Sequence, residues 1–194
     1  MSAAATTQAV ILDRDGTIVI DRGYLDDPAQ LCFLPGAAEG LRLWHERGHR
    51  LIVVSNQSGV GRGRLTLERA RQINERFLHL VAQAGARIDG IYFCPHRPDE
   101  DCACRKPKTQ LVLEAAAAFG FDPADAIVIG DKSTDIELGR RLRALTMLVS
   151  ADGRARDGAW VEPDFVVGNL LEAARITAEL REGARAPGQH FPAA

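Results

Sequence analysis

The sequence predicts an α/β fold: a Rossmann-like, three-layer α/β/α arrangement around a mainly parallel sheet, with no cap domain. Three observations point there. Apolar runs of strand length, among them Val10-Ile11-Leu12, Leu51-Ile52-Val53-Val54 and Ala126-Ile127-Val128-Ile129, alternate with longer stretches of helical spacing. Runs without polar interruption suit strands buried on both faces, which is the habit of parallel sheets. These runs also end abruptly in polar groups: Asp13 and Asp15, then Ser55 and Asn56, then Asp131 and Asp135. In open α/β sheets, ligands bind at the carboxyl ends of the strands.

The elements follow in order. Residues 9–12 read as the first strand, and Asp13-Arg14-Asp15-Gly16-Thr17 as the loop after it, with Gly16 permitting the turn. Ile18-Val19-Ile20 and Asp21-Arg22-Gly23-Tyr24 run into a loop that ends near Pro35-Gly36. A helix is predicted over 37–47, with Leu41 and Trp44 on one face and Gly48 closing it. The strand at 51–54 leads into Ser55-Asn56-Gln57-Ser58-Gly59 and a flexible basic loop through Arg64. Thr66 caps a helix reaching about Ala84, with Ala70, Ile73, Phe77 and Leu80 at helical spacing. A strand over 88–93, an alanine-rich helix over 108–119, and a strand over 126–129 come next. A helix over 134–142, strands over 145–149 and 165–167, and a helix over 169–181 complete the domain. The organisation expected is a flexible N-terminus over 1–8, one domain over 9–182, and a disordered Gly/Pro/Ala-rich tail over 183–194.

Composition narrows the function. The chain has 194 residues, 46% hydrophobic and 26% charged, as in an ordinary soluble globular domain. A formal net charge of −2 lacks the basic excess of a nucleic-acid binder. No apolar run approaches a membrane span, and Met1 to Gln8 lacks the pattern of a signal peptide. The expectation is a cytoplasmic monomer acting on a small molecule, with neither nucleic acid nor membrane as a partner.

Cys94, His96, Cys102 and Cys104 form two short claws five residues apart. Three thiolates and an imidazole suit tetrahedral Zn²⁺ with no open position, a structural site over residues 94–104. The alternatives are a Cys102/Cys104 redox pair or plain free thiols. Cys32 stands apart as an ordinary thiol. The loop runs directly into Arg105 and Lys106, so zinc would pin that lysine.

The motifs Asp13-Arg14-Asp15-Gly16-Thr17, Ser55, Lys106 and Gly130-Asp131-x-x-x-Asp135, in this order, resemble those of the haloacid dehalogenase superfamily of phosphotransferases. The resemblance spans residues 10 to about 150. It implies catalysis by Asp13, Asp15, Ser55 and Lys106, with Mg²⁺ on Asp13, Asp131 and the backbone carbonyl of Asp15. The roles make chemical sense. An anionic nucleophile meets an anionic phosphate ester only if cations gather around both. Mg²⁺ and Lys106 supply the charge, and Ser55 donates to a phosphoryl oxygen. Asp13 attacks phosphorus to give an aspartyl-phosphate, while Asp15 protonates the leaving alkoxide and later deprotonates water. Asp135 orients Lys106 or the outer shell of the metal.

Within that superfamily the zinc loop resembles two groups, the heptose 1,7-bisphosphate 7-phosphatases and the histidinol-phosphate phosphatases. Asp21-Arg22-Gly23-Tyr24 and the Ser55–Gly63 loop resemble the substrate loops of the first group. The reaction implied is removal of the 7-phosphate of D-glycero-D-manno-heptose 1,7-bisphosphate. Hydrolysis of histidinol phosphate or another small phosphate ester is the alternative. Substrate contacts are expected from Asp21, Arg22, Gly23, Tyr24, Asn56, Gln57, Ser58, Arg105 and Lys132. Arg105, before the motif lysine, can hold a second phosphate bidentately. Arg62 and Arg64 are further candidates.

Overall fold

The computed structural model describes residues 8–23 and 25–183. Six strands form one sheet: β1 (Ala9–Leu12), β2 (Arg50–Asn56), β3 (Gly90–Cys94), β4 (Ile127–Gly130), β5 (Leu145–Val149) and β6 (Phe165–Val167). Their spatial order is β3-β2-β1-β4-β5-β6, and every pairing is parallel. The expected mainly parallel sheet is therefore parallel throughout.

Alternation along each strand sorts the core onto two faces. Val10, Leu12, Leu51, Val53, Ile127 and Ile129 meet α1 (Ala37–Glu46), α3 (Leu67–Gln83) and α6 (Leu170–Gly183) through Leu41, Trp44, Ile73, Phe77, Leu170 and Ala174. Their neighbours Ile11, Ile52, Val54 and Val128 meet α4 (Gln110–Phe119) and α5 (Ser133–Leu142) through Leu111, Val112, Ala115 and Leu138. That division follows from right-handed crossovers. The chain winds β1→β2→β3 with helices on one face, then returns to β4 and β5 with helices on the other.

Several boundaries differ from expectation, each for a local reason. Gln8, placed in a flexible terminus, is tied to the sheet: Arg50 N donates to Gln8 O at 3.1 Å and Gln8 Nε2 donates to Asp125 O at 3.0 Å. The loop after β2 is not wholly irregular, because Ser58–Gly61 forms a single helical turn, α2. The last helix runs to Gly183, beyond the predicted 181. Thr66 does cap α3, its Oγ1 accepting from Arg69 N at 3.0 Å. Tyr24, residues 1–7 and the rest of the expected tail lie outside the described residues.

The strand order reverses direction between β1 and β4, which makes their carboxyl ends the switch point of the sheet. Asp13 follows β1 and Asp131 follows β4 there. Among the described residues, neither 15–55 nor 55–106 contains an inserted cap; the first segment adds a short 3-10 turn at Pro28–Gln30 before α1.

Candidate active site

A strand end presents backbone groups that the ladder no longer uses, and here side chains from separate strands converge on them. Asp13 N donates to Ile129 O at 3.0 Å, holding the first loop against β4. Asp13 Oδ1 accepts from Lys106 Nζ at 2.7 Å. The same ammonium donates to Val54 O and contacts Asp135 Oδ1, each at 2.7 Å. All three of its N–H groups thus have acceptors, although the side chain is only 4% exposed. Burial alone would depress this lysine, but Asp13 and Asp135 outweigh it and hold it above the ordinary lysine range. Asp13 is the complement. Burial pushes it up, Lys106 and Lys132 pull harder, and it rests below the usual carboxylate value.

The loop bearing Lys106 is clasped from β2. Asn56 Oδ1 accepts from Lys106 N at 3.0 Å, and Asn56 Nδ2 donates to Lys106 O at 3.2 Å. Asn56, expected on substrate, also positions the lysine backbone. Asp135 serves two elements: Oδ1 meets Lys106, while Oδ2 accepts from Lys132 N at 3.1 Å at the start of α5. Gly130 makes this approach possible, since a Cβ there would lie 2.2 Å from the Asp135 carboxyl carbon.

Asp13, Asp131 and Asp135 each offer an oxygen within 4.8 Å of the others, and all three are buried. Burial first, then Asp13, pushes Asp131 up to about 6. Thr17 Oγ1 donates to Asp131 Oδ1 at 3.2 Å. The Lys132 ammonium lies 4.0 Å from both Asp13 Oδ2 and Asp131 Oδ1, and donates to the Asp15 carbonyl at 3.4 Å. A cation thus already stands beside the three oxygens expected to hold Mg²⁺. The residues fit a hard divalent ion, which takes carboxylate and carbonyl oxygens. Gly16 keeps this space clear: at φ +92° it carries no Cβ, which would lie 2.1 Å from Asp131 Oδ2.

The Asp15 carboxylate faces elsewhere. Arg14 Nη2 and Gln57 Nε2 donate to its Oδ2 at 2.8 and 2.7 Å. Gln57 Nε2 also donates to Ser55 Oγ at 2.7 Å, so one amide joins two of the expected catalytic side chains. Arg14 is itself buried and anchored on Asn74 Oδ1 at 2.7 Å.

The four zinc candidates do come together. Cys94 Sγ lies 3.4 Å from Cys102 Sγ and 3.6 Å from His96 Nδ1, while Cys104 Sγ lies 3.2 Å from that nitrogen. No disulfide joins these cysteines. Burial pushes the Cys94 thiol up to about 12, so a bound cation is what would make it a thiolate. The donor set suits tetrahedral zinc.

This chain resembles known proteins over nearly its whole length. A family model described as HAD-hydrolase-like matches residues 103–173. The D-glycero-beta-D-manno-heptose-1,7-bisphosphate 7-phosphatase of Haemophilus influenzae is 32% identical over 90% of this chain and 99% of its own length. Its counterpart from Helicobacter pylori strain J99 is 37% identical over 81% of this chain and 91% of its own. The chain belongs to the heptose-bisphosphate phosphatase family of haloacid dehalogenase-like proteins. The crystal structure of D,D-heptose 1,7-bisphosphate phosphatase from B. bronchiseptica, complexed with magnesium and phosphate, has a similar fold. It superposes with a TM-score of 0.81 at 26% identity, covering 90% of this chain and 99% of that one.

In this member of the heptose-bisphosphate phosphatase family, a cleft of about 440 Å³ opens over Asp15 and Lys106. Among the expected substrate residues, Asp21, Gly23, Asn56, Gln57, Ser58, Arg105 and Lys132 line it. Arg22 is exposed and stands outside that lining. Arg62 and Arg64 border a separate hollow with Arg97 and Asp99. A larger hollow, about 720 Å³, lies at the amino ends of the strands around Arg50 and Phe119, away from the carboxylates.

Four contributors were not identified from sequence. Arg14 and Thr17 lie within the first motif, which assigns them no role. Asn74 lies on α3, 60 residues from its partner. Arg156, beyond β5, places Nη1 3.1 Å from Asp21 Oδ2 and 3.5 Å from Asp131 Oδ2. For Arg14, the only signal was its position between two aspartates; Arg156 gave none.

Proposed function

We propose that this protein is a Mg²⁺-dependent phosphoric monoester hydrolase that removes the 7-phosphate of D-glycero-D-manno-heptose 1,7-bisphosphate. The observation that carries the reading is the buried Lys106 ammonium, 2.7 Å from both Asp13 and Asp135 at the switch point of the sheet. Such a cation keeps a carboxylate ionised and fixed while a second anion approaches it. The family relationship supports the choice of a sugar bisphosphate.

The reaction runs in two steps. Asp13 attacks phosphorus, the bond from phosphorus to the C7 oxygen breaks, and Asp15 delivers a proton to the departing alkoxide. Asp15, now a carboxylate, takes a proton from water, whose oxygen displaces Asp13 and frees inorganic phosphate. When bound by Asp13, Asp131 and the Asp15 carbonyl, Mg²⁺ neutralises charge on the phosphoryl oxygens. Lys106 and Ser55 meet other phosphoryl oxygens, and Gln57 holds Ser55 and Asp15 in register. Arg105, whose Nη1 donates to His96 O at 3.3 Å, takes the second phosphate, Lys132 beside Asp13 meets the phosphate being removed, and Asp21, Gly23 and Ser58 contact the sugar. Arg22 and Tyr24 join them from the same loop. Zn²⁺ on Cys94, His96, Cys102 and Cys104 fixes the loop that carries Arg105 and Lys106. The phosphatase domain spans residues 9–182 and acts as a cytoplasmic monomer. Among the described residues, no helix is long and apolar enough to cross a membrane.

Steady-state kinetics with Mg²⁺ on the heptose bisphosphate and on histidinol phosphate tests this reading. A charge-assisted contact to a second phosphate is expected to favour the bisphosphate in kcat/KM by about ten- to a hundredfold. Preference for histidinol phosphate would overturn the substrate assignment.

A further inference from the structure

Arg156 belongs to the irregular connection between β5 and β6, yet it is anchored to the switch point at several places. Its backbone N–H donates to Asp131 O at 2.7 Å. The next residue, Asp157, accepts from Ser133 Oγ at 2.6 Å and from Ser133 N at 3.2 Å through the same oxygen. The guanidinium reaches back over this anchor, and Nη1 alone serves both Asp21 and Asp131. Its Nε and Nη2 make no hydrogen bond among the described residues, and the side chain is 47% exposed. Gly16 again leaves the room, since a Cβ there would lie 2.6 Å from Nη1.

Two consequences follow from a guanidinium placed there. Mechanically, Asp131 is held from both sides, Thr17 Oγ1 on Oδ1 and Arg156 on Oδ2, and the Asp21 loop is strapped to the same carboxylate. Electrostatically, the carboxylates of Asp13, Asp15, Asp21, Asp131 and Asp135 face the cations of Arg14, Lys106, Lys132 and Arg156. With all of them ionised, these five negative and four positive groups leave a net charge of −1, which becomes −2 without Arg156. The more negative site attracts a divalent cation more strongly and a phosphate less.

We infer that Arg156 is a positioning residue that sets the balance of the site between cation and anion. It holds Asp131 and ties the Asp21 loop to it, and it weakens divalent-cation binding in exchange for stronger phosphate binding. The inference rests on the reading of Asp13 and Asp131 as Mg²⁺ ligands.

Calorimetric titration of the full chain tests it, first with Mg²⁺ alone and then with inorganic phosphate at saturating Mg²⁺, for wild type, Arg156→Gln and Arg156→Lys. The Gln variant is expected to bind Mg²⁺ about three- to tenfold more tightly and phosphate more weakly by a similar factor. The Lys variant, which keeps the charge, returns both constants toward wild type. A Gln variant that leaves both constants unchanged, or that weakens both as a merely structural role would, overturns the inference while leaving the metal reading intact. Wild-type protein that takes up no Mg²⁺ overturns the metal reading, and this inference with it.

Discussion

Lys106 Nζ lies 2.7 Å from Asp13 Oδ1, and both side chains are almost wholly withdrawn from solvent, at 4% and 5% exposure. The two residues are 93 positions apart in the chain. Their pairing requires β1 and β2 to be neighbours and the cysteine-bearing segment before Lys106 to fold back over β2. It therefore reports on the fold and the chemistry together.

Replacement of the nucleophile is the most direct test. Asp13→Asn keeps the shape but substitutes a neutral amide, a poor nucleophile and a weak ligand for a divalent cation. Turnover is expected to fall by at least about a thousandfold, as when a covalent nucleophile is lost. Phosphate release measured with Mg²⁺ present checks this, and near-wild-type activity would refute the mechanism.

Removing the cation tests the other half of the pair. Lys106→Met leaves Asp13 and Asp135 as buried carboxylates without their shared partner. Breaking a buried pair from one side costs about 3–5 kcal/mol. Urea denaturation is expected to show a loss of that order alongside the loss of activity.

The pH dependence follows from Asp131, whose value is pushed up to about 6 by burial and by the Asp13 and Asp135 carboxylates. Mg²⁺ needs the ionised form, so below about pH 6 protons compete with the metal, and above it they do not. The rise in melting temperature produced by a fixed Mg²⁺ concentration should accordingly be larger at pH 7.5 than at pH 5. Thermal scans with and without Mg²⁺ measure it; an equal rise at both pH values would contradict the assignment.

Zinc is expected at close to one ion per chain in protein purified without chelator, by mass spectrometry. Cys102→Ser removes one of three thiols and should cost both the metal and part of the loop's stability. Zinc contributes on the order of 10 kcal/mol to small sites of this kind. Because the loop leads into Lys106, kcat should fall in the same variant even though Cys102 lies outside the catalytic cleft.

Much of this arrangement was legible in the sequence because two local rules agreed. Buried parallel strands read as unbroken apolar runs, and the polar residue that ends each run marks the functional edge, as Leu12-Asp13 and Gly130-Asp131 do. The clustering of Cys94, His96, Cys102 and Cys104 was legible for a different reason, since three thiols and an imidazole so close in sequence suit a shared metal ion. What stayed hidden depends on tertiary routing. Arg156 follows Asp131 by 25 residues, in a segment with no periodic pattern, and only the β5 to β6 crossover brings it back to the switch point. Asn56 reads in the sequence as a substrate contact and it lines the cleft, but a strand-end amide gives no sign that it also holds a neighbouring backbone. Its clasp on Lys106 emerges only when the segment after the cysteine cluster lies beside β2.

The missing cap has a kinetic corollary. With no cap inserted among the described residues to swing before chemistry begins, ester can arrive and orthophosphate depart by plain diffusion over the rim. Discrimination between sugars then falls to the reach and charge of the loops that carry Asp21, Gln57 and Arg105, and changes of specificity need alter only those loops, leaving the sheet beneath them as it is.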